Sequence, residues 1–210
     1  MGQFILDISA NTFKNDKAIV RQMIDEIYKI DNKKYEIIFK TQLFESAGDN
    51  IPLEYDVFEY MYKYAMAYGY KVTSSVFDIV SLKFLLHHKI PFVKIANDRT
   101  KDYLIGHVPR NIPVYVSIGD LSDERKIDEM HNCTALYSVR KYPATFQDYD
   151  DAFGTFMCLE NTAISDHTTD WELFNTYKPD IYEVHYKLED STGLDAGEFA
   201  RTPKQLAEVL

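Results

Sequence analysis

Eight short runs rich in β-branched and aromatic residues recur along the chain, and most are followed by a segment with apolar residues at helical spacing. This alternation constrains the fold more than any other feature. The strand-like runs are FILDIS (4–9), YEIIFKT (35–41), KVTSSV (71–76), FVKIA (92–96), PVYVSI (113–118), TALYSV (134–139), TAISDH (162–167) and IYEVHY (181–186). Between them, Ile19, Val20, Met23, Ile24 and Ile27 share one helical face, as do Val57, Phe58, Met61, Tyr62 and Ala65. Shorter helices are expected near 78–88 and 123–130, the second following Ser122 with Asp123 and Glu124 in its first turn. TPKQLAEVL starts a last one, and the segments after strands four, six and seven carry only weak helical patterns.

Strand, helix and strand in repetition imply parallel pairing through right-handed crossovers. Eight units in 210 residues predict an α/β fold of the small (β/α)8 TIM-barrel kind, near the lower limit of about 200 residues for that architecture. The alternative is an open doubly wound sheet. Against it, DISANTFKND after the first strand contains no glycine with which to cradle a pyrophosphate. No Gly/Ser/Pro-rich linker divides the chain, so residues 1–210 are expected to form a single domain.

Charge and composition exclude several classes. With 33 acidic against 23 basic residues and a net charge of -10, binding to a nucleic-acid backbone is disfavoured. No apolar run reaches membrane-spanning length, and Cys133 and Cys158 have neither a disulfide framework nor a metal spacing. A cytoplasmic protein without a membrane partner is expected.

In a barrel of this kind, function sits on the ring of strand C-terminal ends. Those ends present Asp7 and Asn11; Lys40 and Gln42; Ser75; Lys94 and Asn97; Ser117; Arg140 and Tyr142; Ser165 and His167; Glu183 and His185. The opposite ends show mainly Phe, Tyr, Val and Pro. His167 and His185 close neighbouring strands, roughly 4.8 Å apart, and could share one metal ion; otherwise each is a hydrogen-bonded strand residue. His87, His88, His107 and His131 read as surface residues. Lys40 and Lys94 lie within otherwise apolar strands, where an uncompensated ammonium costs several kcal/mol. They form either an electropositive pocket for a phosphate or carboxylate, or structural ion pairs with Asp7 or Glu183.

These residues carry a resemblance. AISDHTTD, then IYEVHYKLEDSTGLDAGEF, preceded by YPATFQDY and VKIAN, is similar in order and over nearly the whole chain to the sialic acid synthase (N-acetylneuraminate synthase) family. The resemblance implies that His167 and His185 are ligands of a divalent metal, with Mn expected and Mg or Co as alternatives. It also makes Lys40, Ser75, Lys94, Ser117 and Ser165 the binders of phosphoenolpyruvate. Gln42, Phe77, Tyr142 and Asp195 fall on the sugar side, and Asp7 stands where the family carries a glutamate; Asp166 points away and braces the loop. The implied partners are phosphoenolpyruvate and an N-acetylmannosamine-like aldose, condensed to a nonulosonic acid plus phosphate. Thr12 departs from a family histidine, Asn97 from a phosphate-binding serine and Arg140 from an asparagine. No counterpart of the family's C-terminal antifreeze-like domain is expected, and a homo-oligomer stays open. Two other readings accompany this one: a non-catalytic barrel kept as a binding or assembly module, and a metal-dependent phosphate-ester hydrolase on the same strand ends.

Overall fold

Parallel pairing runs around a closed ring in sequence order, from β1 (Gln3–Asp7) through β2 (Glu36–Leu43), β3 (Lys71–Val76), β4 (Val93–Ile95), β5 (Val114–Ile118), β6 (Cys133–Tyr137) and β7 (Ala163–Asp166) to β8 (Ile181–His185), which pairs back onto β1. The computed structural model describes residues 2–43, 48–121, 132–154, 157 and 162–210. The helix expected near 123–130, together with His131 and Cys158, lies outside the described residues. The barrel expected from the alternation is the architecture found, and the open sheet is not.

Local chemistry accounts for the helices. After the short α1 (Ala10–Phe13), α2 (Lys17–Ile30) starts at Asp16, whose carboxylate accepts from the Ala18 N–H at 2.7 Å. It buries Val20, Met23, Ile24 and Ile27. α3 (Tyr55–Ala67) buries Val57, Phe58, Met61 and Ala65, and α4 (Ile79–Leu86) is capped by Asp78. A 3-10 helix (Arg99–His107) follows β4. α5 (Phe146–Phe153) and α6 (Glu172–Tyr177) occupy the weakly patterned segments, and α7 (Pro203–Leu206) carries proline in its first turn.

α5 opens with a reciprocal capping box between Thr145 and Asp148, and Lys141 lies 2.8 Å from the same carboxylate. Lys141 and Thr145 hold the Asp148 carboxyl down at about 2. A depressed carboxylate stabilises the fold above its unfolded value near 3.8, and that contribution is lost as pH falls through about 2. Asp148→Asn should therefore lower stability modestly at pH 7. Urea unfolding at stepped pH should show the gap from wild type closing between about 3.8 and 2.

The period-two alternation of the strands separates two cores. Outward-facing Phe4, Leu6, Phe39, Val72, Val116 and Val184 join the helix faces in the larger cluster. Inward-facing Ile5, Ile38, Phe92, Tyr115, Leu136 and Ala163 fill the barrel interior, with Phe92 stacked on Tyr115 at 4.0 Å. Each inward apolar residue is followed two positions later by Asp7, Lys40, Lys94, Ser117, Ser138 or Ser165, all buried. The interior therefore changes from an apolar plug to a polar layer within one pleat.

Candidate active site

The polar layer opens at the C-terminal ends of the strands as a pocket of about 280 Å³. It brings together Asp7, Lys40, Gln42, Ser75, Phe77, Lys94, Asn97, Ser117, Arg140, Tyr142, Ser165, His167, His185 and Asp195, all singled out from the sequence, while Asn11 stays outside the lining. Ala96, Ser138 and Glu183 complete the lining. The strand register accounts for this: Asp7 lies beside both Lys40 and His185, Ser75 beside Lys94, and Ser165 beside Glu183. A larger groove of about 700 Å³ lies outside the barrel, against α2 and α7. Its charged residues Lys14, Glu189, Asp190 and Lys204 are exposed and Glu26 is half-buried, whereas the smaller pocket holds a buried, convergent polar set and is the candidate site.

Glu183, which the sequence offered only as an alternative ion-pair partner for a lysine, is the hub. Lys94 Nζ and Ser165 Oγ each donate to its Oε1 at 2.8 Å, and Lys40 Nζ stands 3.8 Å from the same atom. Burial pushes the Glu183 carboxyl up, but Lys40 and Lys94 outweigh it and hold the group at about 2. Lys40 also donates to Asp7 Oδ2 at 2.7 Å and to Ser75 Oγ at 3.2 Å. Burial opposes the Lys40 charge, yet the two carboxylates near it raise its pKa. Lys94 has one carboxylate within reach, so burial wins and its pKa falls. The signal for Glu183 was its spacing, two residues before His185 on the same inward face.

Of the two readings of the lysines, the electropositive pocket is corrected and the ion pairs with Asp7 and Glu183 are what the structure has. Lys40, Lys94 and Arg140 face Asp7, Glu183 and Asp195, and both buried lysines are ion-paired. The reason is topological: β1 and β8 place carboxylates on the inward face that β2 and β4 supply with ammonium groups. Unmet polar atoms remain: among the described residues Asp7 Oδ1, Glu183 Oε2 and His185 Nδ1 are buried without a hydrogen-bond partner.

The two imidazoles sit side by side, ring centroids 5.5 Å apart. His167 Nδ1 lies 2.7 Å from the Val139 carbonyl, which can only accept. Nδ1 therefore carries the hydrogen and Nε2 keeps its lone pair. Burial first, and then His185, depress the His167 pKa to about 3, so the ring is neutral. Tyr142 covers it at a centroid distance of 4.1 Å. His185 Nδ1 stands 3.8 Å from Asp7 Oδ2 and 4.0 Å from Asp195 Oδ1. Asp195 is steered by Asn11, which donates to it at 2.7 Å and accepts from the Ile51 N–H at 2.8 Å. On the opposite wall Asn97 reaches toward the Ser138 carbonyl at 3.5 Å, and a Cβ on Gly119 would come within 2.6 Å of its amide nitrogen.

Asp166 points out of the barrel as expected, accepting from Tyr182 Oη at 2.5 Å and Arg201 Nη2 at 3.0 Å. His88, expected at the surface, is instead wedged between Phe58 and Tyr62, with Nε2 2.8 Å from Glu59.

Residues 8–174 of the sequence match the model of the NeuB family. The chain belongs to the NeuB family. No curated protein matches it. Among solved structures, an N-acetylneuraminic acid (sialic acid) synthetase from Leptospira borgpetersenii serovar Hardjo-bovis superposes with a TM-score of 0.80 at 21% identity, covering 98% of this chain and 80% of that one. A spore coat polysaccharide biosynthesis protein E, termed putative, from Chromobacterium violaceum gives 0.79 at 17% identity, covering 99% and 72%. At these identities the likeness establishes the shared barrel.

In this NeuB-family barrel the two histidines suit a divalent cation. Both are buried, one is neutral with a fixed tautomer, and the other has an orphaned ring nitrogen. Among the described residues no group of three or more His, Cys, Asp and Glu forms a ready cage, so a metal on the imidazole pair would keep open positions. No helix among the described residues is long and apolar enough to cross a membrane.

Proposed function

We propose that this pocket joins phosphoenolpyruvate to an aldose, releasing phosphate and leaving a sialic-type 2-keto acid. The observation that carries the reading is the convergence of two buried lysines, four serines and two imidazoles in one pocket of a NeuB-family chain. Lys40, Lys94 and Ser165 would hand their donors from Asp7 and Glu183 to the anionic substrate, a short move because those carboxylates already hold them in place. Ser75 and Ser117 add hydroxyl donors on the same wall, and Arg140 at the rim offers a fork for an anionic group. Gln42, Phe77, Tyr142 and Asp195 would orient the sugar.

In the reaction, the enol carbon forms a bond to the aldehyde carbon and the aldehyde oxygen takes a proton. Water then adds at the neighbouring carbon, whose bond to the phosphate oxygen breaks. A divalent cation on His167 and His185, with Mn as first choice, would polarise the aldehyde oxygen as a Lewis acid. Asp7, which lies between Lys40 and His185, would hold or move the proton at that oxygen.

The test is direct. The full chain is incubated with Mn and phosphoenolpyruvate across acylamino and deoxy aldoses, following phosphate release, with calorimetry for phosphoenolpyruvate alone. Aldose-dependent release supports the reading. Release without any aldose points to an ester hydrolase, and no release together with no binding overturns the proposal. The already closed Lys40–Asp7 and Lys94–Glu183 pairs favour a second reading, a barrel that keeps its polar layer for stability alone.

A further inference from the structure

Arg201 is fully buried, lies outside the pocket, and has no part in the chemistry above. Its guanidinium is committed to the end of β7 and the turn that follows. Nη2 donates to Asp166 Oδ2 at 3.0 Å, Thr168 Oγ1 at 3.3 Å and the Asp170 carbonyl; Nη1 donates to the Thr168 carbonyl at 2.6 Å. Its Cζ lies 4.8 Å from the centroid of the Trp171 ring. Acceptors disposed around one plane need a fork of donors, which a lysine ammonium does not offer.

The same residue closes a loop. Arg201 N–H donates to the His185 carbonyl and its carbonyl accepts from Lys187 N–H, which ties residues 187–201 at the neck. Inside that loop, Lys187 Nζ donates to the carbonyls of Ala196 and Gly197. At its far side Gly193 has φ +123°, and a Cβ there would stand 2.1 Å from the Asn11 carbonyl oxygen. The loop thereby delivers two side chains to the pocket mouth: Asp195, within 4.0 Å of His185, and Phe199, whose ring is 5.0 Å from His185 and 5.1 Å from Tyr142.

We infer that Arg201 is a positioning residue: by locking residues 187–201 to Asp166 and Thr168, it fixes Asp195 and Phe199 at the pocket mouth and governs admission of the aldose. This rests on the proposed condensation for the identity of the ligand. Among the described residues no hydrogen bond or ion pair joins the loop to Lys94, Ser117 or Ser165 of the proposed phosphoenolpyruvate set, so the two substrates should respond differently.

Arg201→Lys keeps the charge and loses the fork, and Gly193→Ala shifts the far side of the loop without touching Arg201. In the full chain, both variants should raise the aldose KM about tenfold or more, with phosphoenolpyruvate affinity held within about twofold. Hydrogen exchange should accelerate across 193–200 and not in the barrel strands, and the emission of Trp171, the one tryptophan, should shift in Arg201→Lys. Equal losses for both substrates, or unchanged exchange across 193–200 in a folded Arg201→Lys, would overturn the inference. Should the wild-type chain bind no phosphoenolpyruvate, the condensation reading falls. The exchange data still decide the anchor: local acceleration upholds it, and unchanged or barrel-wide acceleration refutes it.

Discussion

Glu183→Ala is expected to cost about 3–5 kcal/mol of folding stability, because it strands two buried ammonium groups around one missing carboxylate. Lys94 loses the partner at 2.8 Å, Lys40 loses its second carboxylate, and Ser165 Oγ loses its acceptor. Water cannot readily replace them, since Lys40, Lys94 and Ser165 are each at most 4% exposed. At about 2–4 °C per kcal/mol for a chain of this size, the melting temperature should fall by about 6–20 °C. The pair Glu183→Leu with Lys94→Met removes both charges and leaves Lys40 on Asp7, so it should recover most of that loss. Urea unfolding measures both. A single variant within about 1 kcal/mol of wild type would show that the triad is solvated in solution and that the buried geometry does not govern its energetics.

The barrel was legible because its two signals agree: period-two alternation in the strands and period-3.6 faces at Val20–Ile27 and Val57–Ala65 allow one parallel, helix-covered ring. The pocket was legible for a narrower reason. Polar residues that interrupt strands at inward positions, such as Lys40, Lys94 and Ser165, have nowhere to go but the strand ends. Partner choice was legible only as alternatives, Asp7 or Glu183 for either lysine, since the pairing depends on register between strands distant in sequence. Glu183 reaches Lys94 across 89 residues, and Asp195 reaches Asn11 across 184. Those separations also explain why the pocket's charge balance stayed open between two readings: a lysine in a strand announces itself, whereas the carboxylate that meets it is fixed by closure of the ring. Arg201 gave no signal, because it follows the last strand in a segment without periodicity.

His167→Asn separates the scaffold from the chemistry. The asparagine amide can still donate to the Val139 carbonyl, now 2.7 Å from Nδ1, so the strand end keeps its hydrogen bond and the melting temperature should stay near that of wild type. What the variant lacks is a basic nitrogen facing the pocket. If a divalent cation rests on His167 and His185, calorimetric Mn affinity and turnover should each fall by about 100-fold, while phosphoenolpyruvate, if Lys40, Lys94 and the serines hold it as proposed, should still bind. His167→Ala is the harsher control, since it also strands the Val139 carbonyl and uncovers the face of Tyr142. The non-catalytic reading makes the opposite forecast, that the asparagine variant matches wild type in every respect. Unchanged Mn binding and turnover would remove the imidazole pair from the reaction. The depressed pKa of His167 would then report only the cost of burying a ring beneath Tyr142 and beside His185.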